Sequence, residues 1–230
     1  DQEVFEALLK ALNVPQVLLP RLPKAFGKPE QVRALMGLAR GEGTLDFPPD
    51  ITKAAENGDA EALVCIIQTR MNEANLPRSG GRTAGDIAAR ILERTALMNA
   101  PMDPHAVEVI ADYLKLSCDV VSAPRRLDEF GKAHQVDFGS ALDAFSRFCR
   151  TVPAKLHARF DGSFGRALDY YSGIVFEVEL MDCPDAIDGP LIVGGRYDGL
   201  MEVLGAPARI PAVGFATAQD RLEMAQEMVS

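Results

Sequence analysis

Three short stretches gather side chains suited to binding chemistry. The first, Gly165-Arg-Ala-Leu-Asp-Tyr-Tyr-Ser-Gly173, places an arginine, an aspartate and two adjacent tyrosines ahead of an apolar run. A guanidinium is a permanent cation with a rigid fork of donors, and phenol hydroxyls both donate and accept, so the set suits a small polar ligand with an anionic group. On an extended chain, neighbours point to opposite faces, so only one of Tyr170 and Tyr171 is expected to face a given pocket. The second stretch, Gly194-Gly-Arg-Tyr-Asp-Gly-Leu200, has three glycines in six residues. They permit close approach of backbone to a ligand, with Arg196, Tyr197 and Asp198 supplying polar groups at that place. Neither Walker spacing nor a GxGxxG run occurs in it. The third, Pro211 to Leu222, is a short apolar strand running into a helix whose first turn carries Arg221, within reach of an anion at a sheet edge.

Each stretch also has a plainer use. One tyrosine can pack in the core while Arg166 pairs with Asp169, Gly194-Gly195 can form a tight turn into a helix, and Arg221 can be a solvated helix arginine. Glu177 and Glu179 share one face of a strand; they can form an acid pair, and solvated strand charges are the expectation. His105, His134 and His157 lie in different segments without HxxxH or HxxE spacing, so no metal site is expected. Neither a GxSxG elbow nor a cysteine in a nucleophile context is present, and no catalytic residue is assigned.

The elements that must position these groups divide into two periods. Residues 1–150 are written almost entirely in helical period, beginning with Val4, Phe5, Leu8, Leu9 and Leu12. Asp59 is an expected N-cap, Thr83-x-x-Asp86 a capping-box variant, and Asp103-Pro104 a cap with proline at the first helical position. Asp137 leads into Phe138, Leu142, Phe145 and Phe148, and residues 41–49 form the clearest loop. After Pro153 the period becomes 2. Strands are expected over Lys155–Phe160, Ile174–Leu180, Leu191–Val193 and Val213–Ala216, with turns at Asp161-Gly162 and Gly194-Gly195. A helical segment from Tyr197 to Leu204 and a last helix from Thr217 to Met228 complete the chain. Helices followed by an antiparallel sheet with helices on one side is an α+β arrangement.

Composition bounds the function. The chain has 230 residues, 47% of them hydrophobic, which excludes disorder and collagen-like repetition and leaves enough apolar surface for a core. A net charge of −9 disfavours a phosphate-tracking surface, and the basic spots Arg125-Arg126 and Arg78/Arg82 are too small for a nucleic-acid platform. Cys65, Cys118, Cys149 and Cys183 are at least thirty residues apart, which reads as buried thiols in a reducing compartment. Without a signal peptide or a long uncharged apolar run, a cytoplasmic protein with no membrane partner is expected.

In series, RALDYYSGIVFEVE at 166–179, GGRYDGL at 194–200 and AVGFATAQDRL at 212–222 closely resemble the second half of the catalytic domain of class II histidyl-tRNA synthetases. The resemblance implies a class II antiparallel sheet flanked by helices. It also implies a histidine pocket built from Arg166, Tyr170, Tyr171 and Tyr197, with Gly194 and Gly195 making room, and Arg221 as the motif 3 arginine that contacts ATP phosphates. Alanine stands at 167 and 218 where the synthetases have glycine, and the added methyls argue against ATP binding.

The chain looks still more like a paralogous branch, the regulatory subunits of ATP phosphoribosyltransferase, in its helical opening FEALLKALNVP and in ending just after the motif 3 helix. That branch implies a non-catalytic protein that binds and activates a catalytic subunit, takes histidine as effector, and forms a homodimer within a hetero-oligomer. In this reading Arg221 is vestigial, and neither cofactor nor nucleic acid is expected. The alternative is a catalytic-domain fragment of a histidine–tRNA ligase. The expected division is 1–40, helical part of the synthetase-like core; 41–152, a helical insertion-like region; and 153–230, the sheet and motif 3 helix. Class II motifs 1 and 2 are expected before residue 1, so a truncated domain is anticipated.

Overall fold

The computed structural model describes residues 1–39, 47–74, 83–100, 102–166, 170–181 and 189–229. In chain order these form α1 (Gln2–Ala11), α2 (Leu22–Ala25), α3 (Pro29–Ala39), α4 (Pro49–Glu56), α5 (Ala60–Glu73), α6 (Ala84–Met98), α7 (Pro104–Tyr113), β1 (Ser117–Asp119), α8 (Ala123–His134), α9 (Gly139–Cys149), β2 (Arg159–Asp161), β3 (Val175–Val178), β4 (Ile192–Arg196), α10 (Leu200–Val203), β5 (Val213–Thr217) and α11 (Gln219–Val229). The α+β class read from the periodicity is the class observed.

The helix starts follow local chemistry. Asp59 accepts from the Ala62 N–H at 2.9 Å, and Asp103 accepts from the His105 N–H at 2.9 Å behind Pro104. Thr83 and Asp86 form a reciprocal capping box at the start of α6. Each satisfies donors that a helix leaves unpaired in its first turn. Asp137 acts one step differently, accepting from the Gly139 N–H at 2.8 Å while Phe138 takes the N-cap position of α9.

Two hydrophobic clusters hold the helices. The larger joins α1, α2, α3, α7, α8 and α9 with β2, around Phe5, Leu8, Leu9, Leu22, Ile110, Tyr113 and Leu127. Phe5 stacks on Phe26 with centroids 5.0 Å apart, and Tyr113 meets Phe5, Phe130 and Phe160. The smaller lies within α4, α5 and α6, around Ile51, Leu63, Ile67, Ala88 and Ile91. Burying one such Leu or Ile side chain contributes about 1.5–3 kcal/mol, so both clusters are substantial. An Arg21–Glu93 ion pair bridges the chain just before α2 to α6.

β3, β4 and β5 form an antiparallel meander in which Phe176, Gly194 and Phe215 are register partners, as are Val175, Gly195 and Gly214. Leu222 and Ala225 of α11 pack on Leu180, Leu191 and Ile192. Farther along the same sheet, Val213 and Phe215 are 76% and 71% exposed, so that part of the face is uncovered. Gln2 N–H donates to the Gly173 carbonyl at 3.1 Å, tying the approach to β3 to the helical body. No described helix is long and apolar enough to cross a membrane.

Several sequence expectations are corrected. The strand expected over Lys155–Phe160 is only Arg159–Asp161, because Leu156 N–H and Ala158 N–H close turns onto Pro153 and Leu156. Asp161 is therefore a strand residue, and its strand pairs with β1 inside the otherwise helical half. Gly194 and Gly195 are interior to β4 rather than a turn. The helix expected from Tyr197 is confined to Leu200–Val203, because residues 196–198 are bound to neighbouring segments. β3 is shorter than Ile174–Leu180, and Thr217 ends β5 before α11 begins. Cys65 is exposed, contrary to the reading of buried thiols, because it lies on the outer face of α5. The 41–49 loop for the most part, Arg78, Arg82, Ala167, Asp169 and Cys183 lie outside the described residues.

Candidate functional site

The chain enters the site through a backbone-to-backbone contact. Gly27, at φ +82°, follows α2, and a Cβ on Gly165 would lie 2.7 Å from its Cα. Only a glycine pair allows this approach, and it fixes the chain just before Arg166. The Arg166 guanidinium then donates from Nη1 to Oε1 of Glu177 on β3. Both side chains are largely enclosed, 25% and 24% exposed. Alternation along β3 puts Glu177 on the face opposite Phe176, the same face as Gly195 and Gly214.

Three tyrosines converge on that face. Tyr170 and Tyr171 have ring centroids 4.7 Å apart, and Tyr197 meets them edge-on at 5.7 and 6.4 Å. Both members of the adjacent pair thus reach the same cluster, contrary to the expectation for an extended chain. They lie in the turn before β3, where side chains need not alternate. The Tyr171 ring covers Gly195, where a Cβ would lie 2.7 Å from Cε1, and the Tyr197 hydroxyl sits over Gly214. The two glycines are the floor that lets the aromatic layer lie on the sheet. Gly194 faces the other way, between Phe176 and Phe215, and makes no room on the tyrosine side.

Burial raises the Tyr171 phenol above its ordinary pKa, and hydrogen bonding with Tyr170 adds to the rise while Arg166 opposes it. The hydroxyl is therefore a protonated donor at neutral pH. An arginine and a cluster of phenols suit a small zwitterion with a flat polar side chain.

Asp198 is the fastener of this arrangement. The residue is 6% exposed, and its carboxylate accepts from Arg196 Nε at 2.8 and 2.9 Å and from the Ala212 N–H at 3.1 Å. Its own N–H donates to the Ser172 hydroxyl at 2.9 Å. The end of the first motif, the second motif and the approach to β5 are joined at one residue. Tyr197 N–H donates to the Ala212 carbonyl at 2.8 Å, which sets its ring above Gly214.

Arg221 serves a turn. Its Nη1 donates to the Pro190 carbonyl at 2.8 Å, and its guanidinium fills the space beside Gly189, whose φ is +93°. The structure therefore brings together Arg166, Tyr170, Tyr171, Tyr197 and Gly195, leaves Gly194 on the opposite face, and commits Arg221 to a backbone contact. Sequence reasoning took Glu177 for a solvated charge and offered Arg196 and Asp198 as polar groups for a ligand, whereas the two bond each other and Asp198 is buried. Strand alternation marks the face of Glu177, but nothing local signals a partner eleven residues away. Glu179 is exposed, as read. A groove of about 510 Å³ along α5 and another of about 300 Å³ beside α8 and α9 are lined by no residue of the three motifs. Among the described residues no group of three His, Cys, Asp or Glu could hold a metal ion.

The family profile described as histidyl-tRNA synthetase matches residues 88–222, which include the tyrosine cluster, Arg166 and Arg221. The chain belongs to that family. Within the histidyl-tRNA synthetase family, it is 37% identical over 97% of its length to a protein of Rhizobium johnstonii named ATP phosphoribosyltransferase regulatory subunit. A protein of the same name from Mesorhizobium japonicum is 34% identical over 99% of the chain, and one from Brucella anthropi 32% over 97%. The chain spans about 60% of the length of these curated relatives. No solved structure gives a significant match.

Proposed function

We propose that the chain is part of a regulatory subunit of ATP phosphoribosyltransferase, the first enzyme of histidine biosynthesis. It carries out no catalysis itself, activates the catalytic subunit, and transmits feedback inhibition when histidine binds. The observation that supports the ligand is the Arg166–Glu177 pair on the same sheet face as the cluster of Tyr170, Tyr171 and Tyr197 above Gly195 and Gly214. Arg166 takes the histidine carboxylate and the tyrosine hydroxyls take the imidazole end. The partner is supported by the name the relatives share. Histidine and the catalytic subunit are coupled through unequal affinities for active and inhibited assemblies of a cytoplasmic homodimer-based hetero-oligomer. The three-part division at residues 40 and 152 belongs to the same proposal.

Calorimetry of histidine against the full-length protein and its Arg166→Ala variant tests the reading. The variant is expected to lose at least about tenfold in affinity, as charge-assisted contacts to carboxylates are worth 1.5–3 kcal/mol. Equal affinity removes Arg166 from the site. A second reading, a histidine–tRNA ligase fragment, draws on the profile itself. The alanines at 167 and 218, where the synthetases have glycine, weigh against it, since the added methyls crowd an ATP site. Robust histidine-dependent ATP–pyrophosphate exchange by the full-length protein would establish the ligase instead.

A further inference from the structure

We propose that Glu177 is the positioning residue that aims Arg166 at the ligand's carboxylate. The inference rests on the histidine-site reading above and adds to it a residue that acts through Arg166.

An arginine side chain has many rotamers and, left to itself, extends its charged end into water. Arg166 instead lies over the sheet, three-quarters enclosed, with Nη1 on Glu177. Glu177 is well suited to hold it. Its strand is held in register, Glu177 opposite Val193, which sets the side chain on the face that also carries Gly195 and Gly214, and enclosure to 24% exposure limits where its carboxylate can go. The backbone is fixed at the other end by the Gly165–Gly27 contact. Clamped at both its backbone and its tip, the guanidinium stays beside Tyr171, whose phenol senses its charge.

The clamp leaves the binding function intact. A guanidinium presents five N–H donors in a planar fork, and Glu177 occupies one corner, so the remaining edge can take a carboxylate from the ligand. Glu177 also has an opposing effect. Its negative charge partly cancels that of Arg166 and repels an incoming carboxylate. A residue that merely neutralised Arg166 would weaken binding by being there, whereas a positioning residue strengthens it. The sign of the mutational effect separates the two.

The experiment measures, by calorimetry on the full-length protein, affinities for histidine and for histamine, which lacks the carboxylate. Wild type is expected to prefer histidine by about tenfold or more. In Glu177→Ala that preference collapses toward unity while histamine affinity is retained. In Glu177→Gln, whose amide oxygen still accepts from Nη1, the preference falls only about two- to fivefold, because a neutral acceptor holds a guanidinium less firmly than a carboxylate. The isosteric Gln variant carries the test if the Ala variant does not fold. An unchanged preference in both variants, tighter histidine binding in either, or equal loss of both ligands overturns the role of Glu177. If wild type itself fails to prefer histidine, the histidine site falls and this proposal with it; if Arg166→Ala abolishes the preference and both Glu177 variants leave it unchanged, only Glu177 is wrongly assigned.

Discussion

At the scale of single residues, the floor of the site is defined by what is missing. A methyl on Gly195 would press on the Tyr171 ring at 2.7 Å and on the Ile174 carbonyl at 2.6 Å. Gly195→Ala is therefore expected to destabilise the fold by about 1–3 kcal/mol, the usual cost of overpacking, and to displace Tyr171. Thermal unfolding and histidine titration check the two halves of that expectation. The thiols give a second contrast. Burial pushes Cys149 up to about 11, so it stays a thiol at pH 8, whereas Cys65 stands exposed on α5. Brief alkylation at pH 8 followed by mass spectrometry is expected to mark Cys65 and leave Cys149 unmodified until the chain is unfolded. Equal labelling would mean that the core around α9 opens readily.

At the scale of elements, the start of α6 links sequence to pH response. The Thr83 hydroxyl and backbone N–H bond the Asp86 carboxylate and hold it below the usual carboxylate range. A carboxyl with a depressed folded-state pKa contributes stability above its unfolded value, near ~4, and loses that contribution as pH falls through the lower folded value. Thr83→Ala is expected to cost about 1 kcal/mol at neutral pH, and Asp86→Asn to flatten the acid limb of stability, as followed by denaturant titrations from pH 7 to 3. This box was legible because its partners are three residues apart, as were Asp59 and Asp103. β1 was not legible: Ser-Cys-Asp has no apolar alternation, and its partner lies some forty residues on. Gly194-Gly195 misled for a related reason. A glycine pair is a local turn signal, and only Phe176 and Phe215 on one face and Tyr171 on the other make it strand. The site's residue types were readable from the motifs, but not the Arg166–Glu177 pair or the joint at Asp198, which exist only once β3, β4 and β5 are in register.

At the scale of the molecule, the larger core is organised around Tyr113, fully buried among Phe5, Phe130 and Phe160. Its hydroxyl has no hydrogen-bond partner among the described residues, and burial drives its pKa well above the ordinary phenol value. An unpaired buried hydroxyl costs free energy that a phenylalanine of the same shape avoids. Tyr113→Phe is thus expected to raise unfolding free energy by about 1 kcal/mol in chemical denaturation; a loss of that size would reveal a partner for the hydroxyl. The glycines of the sheet have a wider effect. At Gly194 and Gly195 the sheet carries no side chain on either side, with Phe176 and Phe215 resting on one surface and Tyr171 and Tyr197 over the other. Two aromatic layers are separated there by the thickness of one peptide ribbon. A side chain added to β4 at either glycine therefore meets an aromatic ring, Phe176 from one surface or Tyr171 from the other.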